Sequence, residues 1–496
     1  PEPGLDPCAT LFSGPSCARA ERRFRQGAAR DPRPVRYVST RGQAPALPLD
    51  EALLAGLASD GGLYVPEEWP RFSAADIASF GGLPYPELAL RVIRPFIGGT
   101  LDDGALAGII DGAYANFDTP EIAPLKEIGK GEWLLELFHG PTLAFKDFAM
   151  QLIGQLFQEA LERRGERVTI VGATSGDTGS AAIEAFKGLE NVDVFILFPH
   201  GRVSEVQRRQ MTTPAEANVH ALALDGHFDD CQARLKDMFN HFEFRDSVRL
   251  AGVNSINWAR VLAQVVYYFS AAVSLGAPDR KVSFTVPTGN FGDIFAGYIA
   301  KKMGLPIDRL VVATNQNDIL HRCLSSGDYK TSEVHPSISP SMDIQVSSNF
   351  ERALFDAYGR DGAAVAQLMD ELKAGGFKVS QGALEALREH FDSGRVSEED
   401  TLDTIRTAHS TMGELLCPHS AVGVRVGEAQ RQADTPMITL ATAHPAKFPD
   451  AVEKASGIRP PLPNRMADLY ERPERVTRVQ NDLAALETLI QERIAK

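Results

Sequence analysis

Between residues 167 and 443 the chain repeats one pattern: a short, mostly apolar run rich in β-branched residues, followed by a stretch with helical spacing. The runs are RVTIVGAT (167–174), DVFILFP (193–199), KVSFTVP (281–287), RLVVATN (309–315) and MITLATA (437–443). Each has the length and apolar content of a strand covered on both faces, and such strands separated by helices build parallel-rich sheets with helices on both faces. An α/β fold is therefore expected. The intervening segments agree. Phe148, Leu152, Ile153, Leu156, Phe157, Ala160 and Leu161 recur at helical spacing up to Gly165, which predicts an amphipathic helix with a glycine stop.

At 496 residues the chain exceeds a single compact core, so two or three units are expected. Residues 1–35 begin with Pro, are rich in Pro, Arg, Ala and Gly, and show little apolar periodicity; they read as a disordered or non-native extension. An N-terminal accessory unit is expected over 36–130, with RYVSTRG (36–42) at its start and a turn at Asp60-Gly61-Gly62. The catalytic core is placed at 131–450 as two α/β subdomains, with a helical insertion at about 350–416 broken at Gly375-Gly376. A helical tail is expected over 451–496, where Val476, Val479, Leu483, Leu486 and Ile490 alternate spacings of three and four.

Charge and cysteine usage narrow the function. A net charge of -14 argues against a nucleic-acid binder, which carries a basic stripe. Cys8, Cys17, Cys231, Cys323 and Cys417 are odd in number and show no zinc or redox spacing, so no disulfide and no metal site is expected, and a cytoplasmic setting fits. The apolar stretch 261–277 is shorter than the roughly 20 residues a membrane span needs and contains Gln264; it reads as a buried core helix.

Four segments have the residue types for chemistry. In HGPTLAFKDFAMQLIG (139–154) a Gly-Pro turn leads to Lys146 at a helix entry, between Phe145 and Phe148. The helix dipole and apolar neighbours disfavour an ammonium there, so Lys146 is either a solvated surface lysine or an amine nucleophile. VGATSGDTGSAA (171–182) joins a strand to a helix through small hydroxyl and glycine residues, which suits either an anion or a plain turn with Asp177 or Thr178 as cap. Gly289, Asn290, Phe291, Gly292 and Asp293 form a similar junction, and two glycines allow close backbone approach to a phosphate. ATAHPAKFPDAV (441–452) places Thr442 at the end of the last strand, with Lys447 as a weaker rival lysine and His444 as a rival base.

Together with SDGGLYVPEEWP (59–70), NSINWAR (254–260) and CPHSAVG (417–423), these strings in this order resemble the longer bacterial and fungal threonine synthases, over about residues 36–470. These are fold type II pyridoxal-phosphate enzymes, tryptophan synthase β-like in plan. Tryptophan synthase β and the serine/threonine dehydratases share that plan but lack the paired FKD and NSINWAR strings. The resemblance implies that Lys146 carries pyridoxal 5'-phosphate as a Schiff base, flanked by Phe145 and Asp147. It implies that 289–293 hold the cofactor phosphate, that Thr442 faces the pyridine nitrogen, and that Asp177, where many relatives have Asn, faces the ring hydroxyl. A neutral hydroxyl at Thr442 leaves the ring a weaker electron sink, which favours elimination.

For the substrate the resemblance implies O-phospho-L-homoserine, with Thr174, Ser175, Thr178, Asn254, Ser255 and Arg260 facing it, and L-threonine and phosphate as products. Some threonine-synthase-like proteins instead release 2-oxobutyrate, and a non-catalytic binding relative is the other alternative. No nucleic-acid or membrane partner is implied, and a monomer, or else a homodimer, is expected.

Overall fold

The computed structural model describes residues 35–494. The extension expected over 1–35, with Cys8 and Cys17, thus falls outside the described residues except at its last position.

Two sheets organise the chain. One has five parallel strands in the order Thr477–Val479, Val219–Leu224, Val192–Pro199, Val168–Ala173 and Leu250–Ala251. The other has six, in the order Phe391–Arg395, Ile307–Thr314, Val282–Pro287, Met437–Ala441, Glu132–Glu136 and Leu125–Gly129; only the last pairs antiparallel. Every residue of Val192–Pro199, Val282–Pro287 and Met437–Ala441 is buried, as strands covered on both faces must be. All five strands read from the sequence are present. The others carry weaker signals: FDSGR (391–395) has no β-branched residue, and HALAL within 219–224 is built of residues with little strand preference.

Two expected helices differ in character from the sequence reading. The helix Lys146–Arg164 does end at Gly165, which adopts φ 62° while the Glu166 N–H returns to the Leu161 carbonyl. It is not a surface amphipathic helix, however, because residues 146–154 are buried on every side. Apolar residues pack around its first turns from several directions, and periodicity alone does not report a second covered face. In the C-terminal tail the helices are Pro449–Ser456 and Leu483–Arg493, the second with Leu486 and Ile490 buried, while Thr477–Val479 extends the five-stranded sheet and Val476 is exposed. All but the last three residues of the segment 261–277 lie in the buried helix Trp258–Ser274, as expected. Among the described residues no helix is long and apolar enough to cross a membrane.

The N-terminal segment is fastened to the rest of the chain by specific polar contacts. Tyr37–Ser39 pairs antiparallel with Tyr64–Pro66. Asp60 ties the intervening chain together by accepting from the N–H groups of Gln43, Ala44 and Gly62 and from the Ser39 hydroxyl. Arg41 forks onto Glu351 at 3.0 and 3.1 Å, and the Thr40 hydroxyl donates to the same carboxylate at 2.6 Å. Trp258 is almost fully buried and touches Tyr37, Trp69 and Phe96, so one hydrophobic core runs from the N-terminal strands into both sheets.

Candidate active site

Lys146 is positioned by pairing between two loops. The Phe145 N–H donates to the Thr442 carbonyl at 2.8 Å and the His444 N–H to the Leu143 carbonyl at 3.0 Å. This fixes the start of the helix against the C-terminal end of Met437–Ala441. Within the loop, the Asp147 carboxylate accepts from the Thr142 N–H (2.8 Å) and hydroxyl (2.6 Å). Gly140 lies so close to Asp147 that a Cβ there would sit 2.5 Å from the Asp147 Cβ. Leu143 is held at φ 66°, a conformation that costs a non-glycine residue about 1 kcal/mol or more and is maintained only by its surroundings.

The Lys146 side chain is buried, with Nζ 3.7 Å from Asp177 Oδ2. Burial, with Arg260 and Lys447 nearby, outweighs the attraction of Asp177 and pushes the ammonium down to about 8. The bland reading of Lys146 as a solvated surface lysine is thereby excluded. Asp177 begins the helix Asp177–Phe186, and the cap position is Gly176 rather than Asp177 or Thr178. Burial works to raise its pKa, but Lys447, Lys146 and the Gln207 amide hold the carboxyl below the usual range, so it is ionised. Thr174 is buried and its hydroxyl oxygen accepts the N–H groups of Gly176 and Gly179, each at 2.9 Å, which shapes this turn. Ser175 and Thr178 are partly exposed beside it.

The second turn lies at the end of Val282–Pro287 and opens the helix Gly292–Lys302. The N–H groups of Gly289, Asn290 and Phe291 have no acceptor among the described residues, an arrangement suited to an anion at a helix N-terminus. The carbonyls face the other way: that of Gly289 accepts the Ser347 hydroxyl (2.6 Å), and that of Asn290 accepts the Asn349 N–H and side chain, each at 3.0 Å. Phe291 adopts φ 62° and is pinned between Phe350 and Phe391. A Cβ on Gly289 would lie 2.6 Å from the Ser341 carbonyl oxygen. Gly289→Ala is therefore expected to cost about 1–3 kcal/mol in urea unfolding and to weaken cofactor binding measured by absorbance.

The Asp293 carboxylate is turned away from this turn, accepting the hydroxyls of Tyr267 at 2.5 Å and Tyr268 at 3.0 Å. Burial pushes it up to about 7, against those two bonds. The folded state thus holds a proton that the unfolded chain releases near pH 4. That contribution to stability is present in full below pH 4 and is lost as pH rises through about 7. Between pH 5 and pH 8, wild type is expected to lose about 2–3 kcal/mol of unfolding free energy more than Asp293→Asn, as urea titrations at the two pH values will measure.

Arg260 supplies the remaining feature. It projects from the helix Trp258–Ser274, which is capped by Asn257, and is 6% exposed. Among the described residues its side chain makes one hydrogen bond, a long contact to the Val253 carbonyl at 3.4 Å, and pairs with no carboxylate. Burial alone pushes its pKa down to about 10, so the guanidinium remains charged. Asn254 and Ser255, half-buried, precede it, and the Ser255 carbonyl accepts from Asn349. A buried cation without a counter-charge is costly, and an anionic ligand offsets that cost.

Two participants escaped the sequence reading. Lys447, ranked as a weak rival, is completely buried and ion-paired to Asp177 at 2.9 Å. His419, at the start of Pro418–Gln430, accepts the Ser341 N–H at Nε2 (3.2 Å). Burial pushes its pKa down to about 4, leaving it neutral, and Lys146 and Lys447 push the same way. Both residues fall within strings that the sequence already marked, CPHSAVG and TAHPAKFP, but nothing in a linear string reports a shared ion pair. His444, the rival base, is instead occupied at Nδ1 by the Ala446 N–H and packs against Phe138.

The protein comparisons bear on this arrangement. Three family models match: "Threonine synthase N terminus" over 36–114, "Pyridoxal-phosphate dependent enzyme" over 117–440 and "Threonine synthase, C-terminal" over 420–490. A threonine synthase of Pseudomonas aeruginosa is 58% identical over 92% of this chain and 98% of its own length. This chain belongs to the threonine synthase family. A crystal structure of PLP-bound threonine synthase from Brucella melitensis superposes with a TM-score of 0.91 at 56% identity, covering 92% of this chain and 99% of the other. Human threonine synthase-like 2 is 40% identical over 89% of this chain and 93% of its own length. Family membership makes the cofactor pyridoxal phosphate. The residues fit it: a buried amine at Lys146, a glycine-bearing turn with free N–H groups at 289–291, and a threonine at the end of the intervening strand.

Proposed function

We propose that this chain converts O-phospho-L-homoserine and water to L-threonine and inorganic phosphate, as the last step of threonine biosynthesis. The observation that supports this reading most directly is Arg260, a buried guanidinium lacking a carboxylate partner among the described residues and close enough to Lys146 to depress its pKa. An amine able to carry the cofactor and a cation suited to a phosphate ester thus share one site.

In this reading Lys146 would hold the cofactor covalently, the turn 289–293 would receive its phosphate, Thr442 would meet the pyridine nitrogen, Asp177 the ring hydroxyl, and Phe145 would pack beside it. Pyridoxal phosphate, when bound, withdraws electrons from the substrate's α carbon and so makes protons on Cα and Cβ removable. Arg260, with Thr174, Ser175, Thr178, Asn254 and Ser255, binds the substrate phosphate and stabilises it as it leaves Cγ. The Lys146 amine takes the proton from Cα and later returns one to it. Its pKa of about 8 puts a useful fraction of free amine at neutral pH. A second proton leaves Cβ as phosphate departs from Cγ, a proton is gained at Cγ in its place, and water adds at Cβ before Cα is reprotonated, which gives threonine and phosphate. The free, buried Cys231, Cys323 and Cys417 suit action in the cytoplasm, and the resemblance implies a monomer.

The test is an assay of the purified protein with O-phospho-L-homoserine, measuring phosphate, threonine and 2-oxobutyrate together. Equal phosphate and threonine is the expected result. Phosphate with 2-oxobutyrate in place of threonine would reassign the protein as a phospholyase, and no release of phosphate would discard the substrate.

A further inference from the structure

Lys447 has no part in the reaction just described, yet it is among the most completely buried charges in the molecule. It sits on the short turn Pro445–Lys447 just beyond the strand Met437–Ala441. Its Nζ donates to Asp177 Oδ1 at 2.9 Å and to the Thr142 carbonyl at 2.7 Å. Gln207 Nε2 donates to the same Oδ1 at 2.9 Å. Two donors thus engage one oxygen of Asp177 and leave Oδ2 as the oxygen turned toward Lys146 Nζ, 3.7 Å away.

We propose that Lys447 is a positioning residue that acts through Asp177: it fixes which carboxylate oxygen faces the Lys146 nitrogen and cancels most of the charge that nitrogen would otherwise feel. The proposal rests on the assignment of Lys146 as the cofactor-bearing residue. Its physical basis is charge accounting in a dry site. The groups facing Lys146 are Asp177, Arg260 and Lys447, with His419 adjoining them and Asp147 lying behind Thr142. His419 is neutral. An isolated, ionised Asp177 would draw a proton strongly onto the Lys146 nitrogen, whereas Lys447 alone would repel one. Paired, they present an acceptor oxygen with little net charge.

The test uses cofactor-loaded protein and follows the visible absorbance of the bound cofactor from pH 6 to 10, independently of turnover. Asp177→Asn is expected to lower the midpoint of that titration by about one pH unit, and Lys447→Met to raise it by about the same amount. The charge-balanced double variant D177N/K447M is expected to return most of the way to wild type. Should K447M fail to fold or load, D177N and the double variant still decide the matter. A D177N midpoint that does not move, or a double variant no nearer wild type than D177N, would overturn the proposal in favour of a fastening role. A wild-type protein that shows no visible band would instead sink the assignment of Lys146, and this inference with it.

Discussion

Lys146→Ala is expected to lower threonine formation from O-phospho-L-homoserine by about 10³-fold or more and to remove the visible cofactor band, while leaving the protein folded. The loss is large because one amine has two duties, covalent attachment and proton transfer at the α carbon. Proton transfer by a positioned group is by itself worth about 10²–10⁴-fold. The fold survives because Lys146 Nζ is held loosely, 3.7 Å from Asp177 and 5.7 Å from the Phe145 ring centre, and the Asp177 carboxylate keeps Lys447 and Gln207. Removing a buried cation that is held so loosely costs less than about 1 kcal/mol of stability. The checks are product analysis, absorbance and urea unfolding of one preparation. Activity retained within tenfold would move the cofactor to the other buried amine of the cluster, Lys447.

Arg260→Met is expected to act on function and stability in opposite directions. The substrate phosphate loses its buried cationic partner, so kcat/KM falls by about 10²–10³-fold, the effect of removing one side of a desolvated charge pair. In the absence of any anion, however, the guanidinium is a buried charge with one 3.4 Å hydrogen bond. Methionine fills similar volume without that penalty, and unfolding free energy is expected to rise by about 1–3 kcal/mol. Inorganic phosphate separates this account from a packing effect, since it should stabilise the wild type by mass action and leave the variant unmoved. Equal stabilisation of both proteins by phosphate would show that the anion binds elsewhere.

The turns that form the site differ in how they are held, and the difference decides which substitutions matter. In the turn at 289–293 the free N–H groups point one way while Ser347 and Asn349 grip the carbonyls. Gly289 and Phe291 are therefore constrained by packing as well as by any ligand. In the turn at 174–177 it is Thr174 that organises the backbone, through two N–H groups bonded to its hydroxyl. Removing that hydroxyl would loosen Asp177 and the Lys447 pair before any direct loss of substrate contact.

The sequence by itself determined the α/β class, the five principal strands, the helix that begins at Lys146 and the strings from which the site is built. Each is a local property: β-branched content and length mark covered strands, and a glycine after a helical repeat marks a stop. It did not report which strands belong to which sheet, nor that FDSGR and TRV complete their edges, because an edge strand is stabilised by its neighbour more than by its own residues. Nor did it report that the helix from Lys146 is buried on all sides at its start, since periodicity records one apolar face only. Tertiary structure alone brought Lys447 and His419 to Asp177 across more than two hundred residues, and left Arg260 without a carboxylate among the described residues. Charge pairing depends on distances of a few ångströms between segments remote in sequence, and those distances exist only once both sheets have packed.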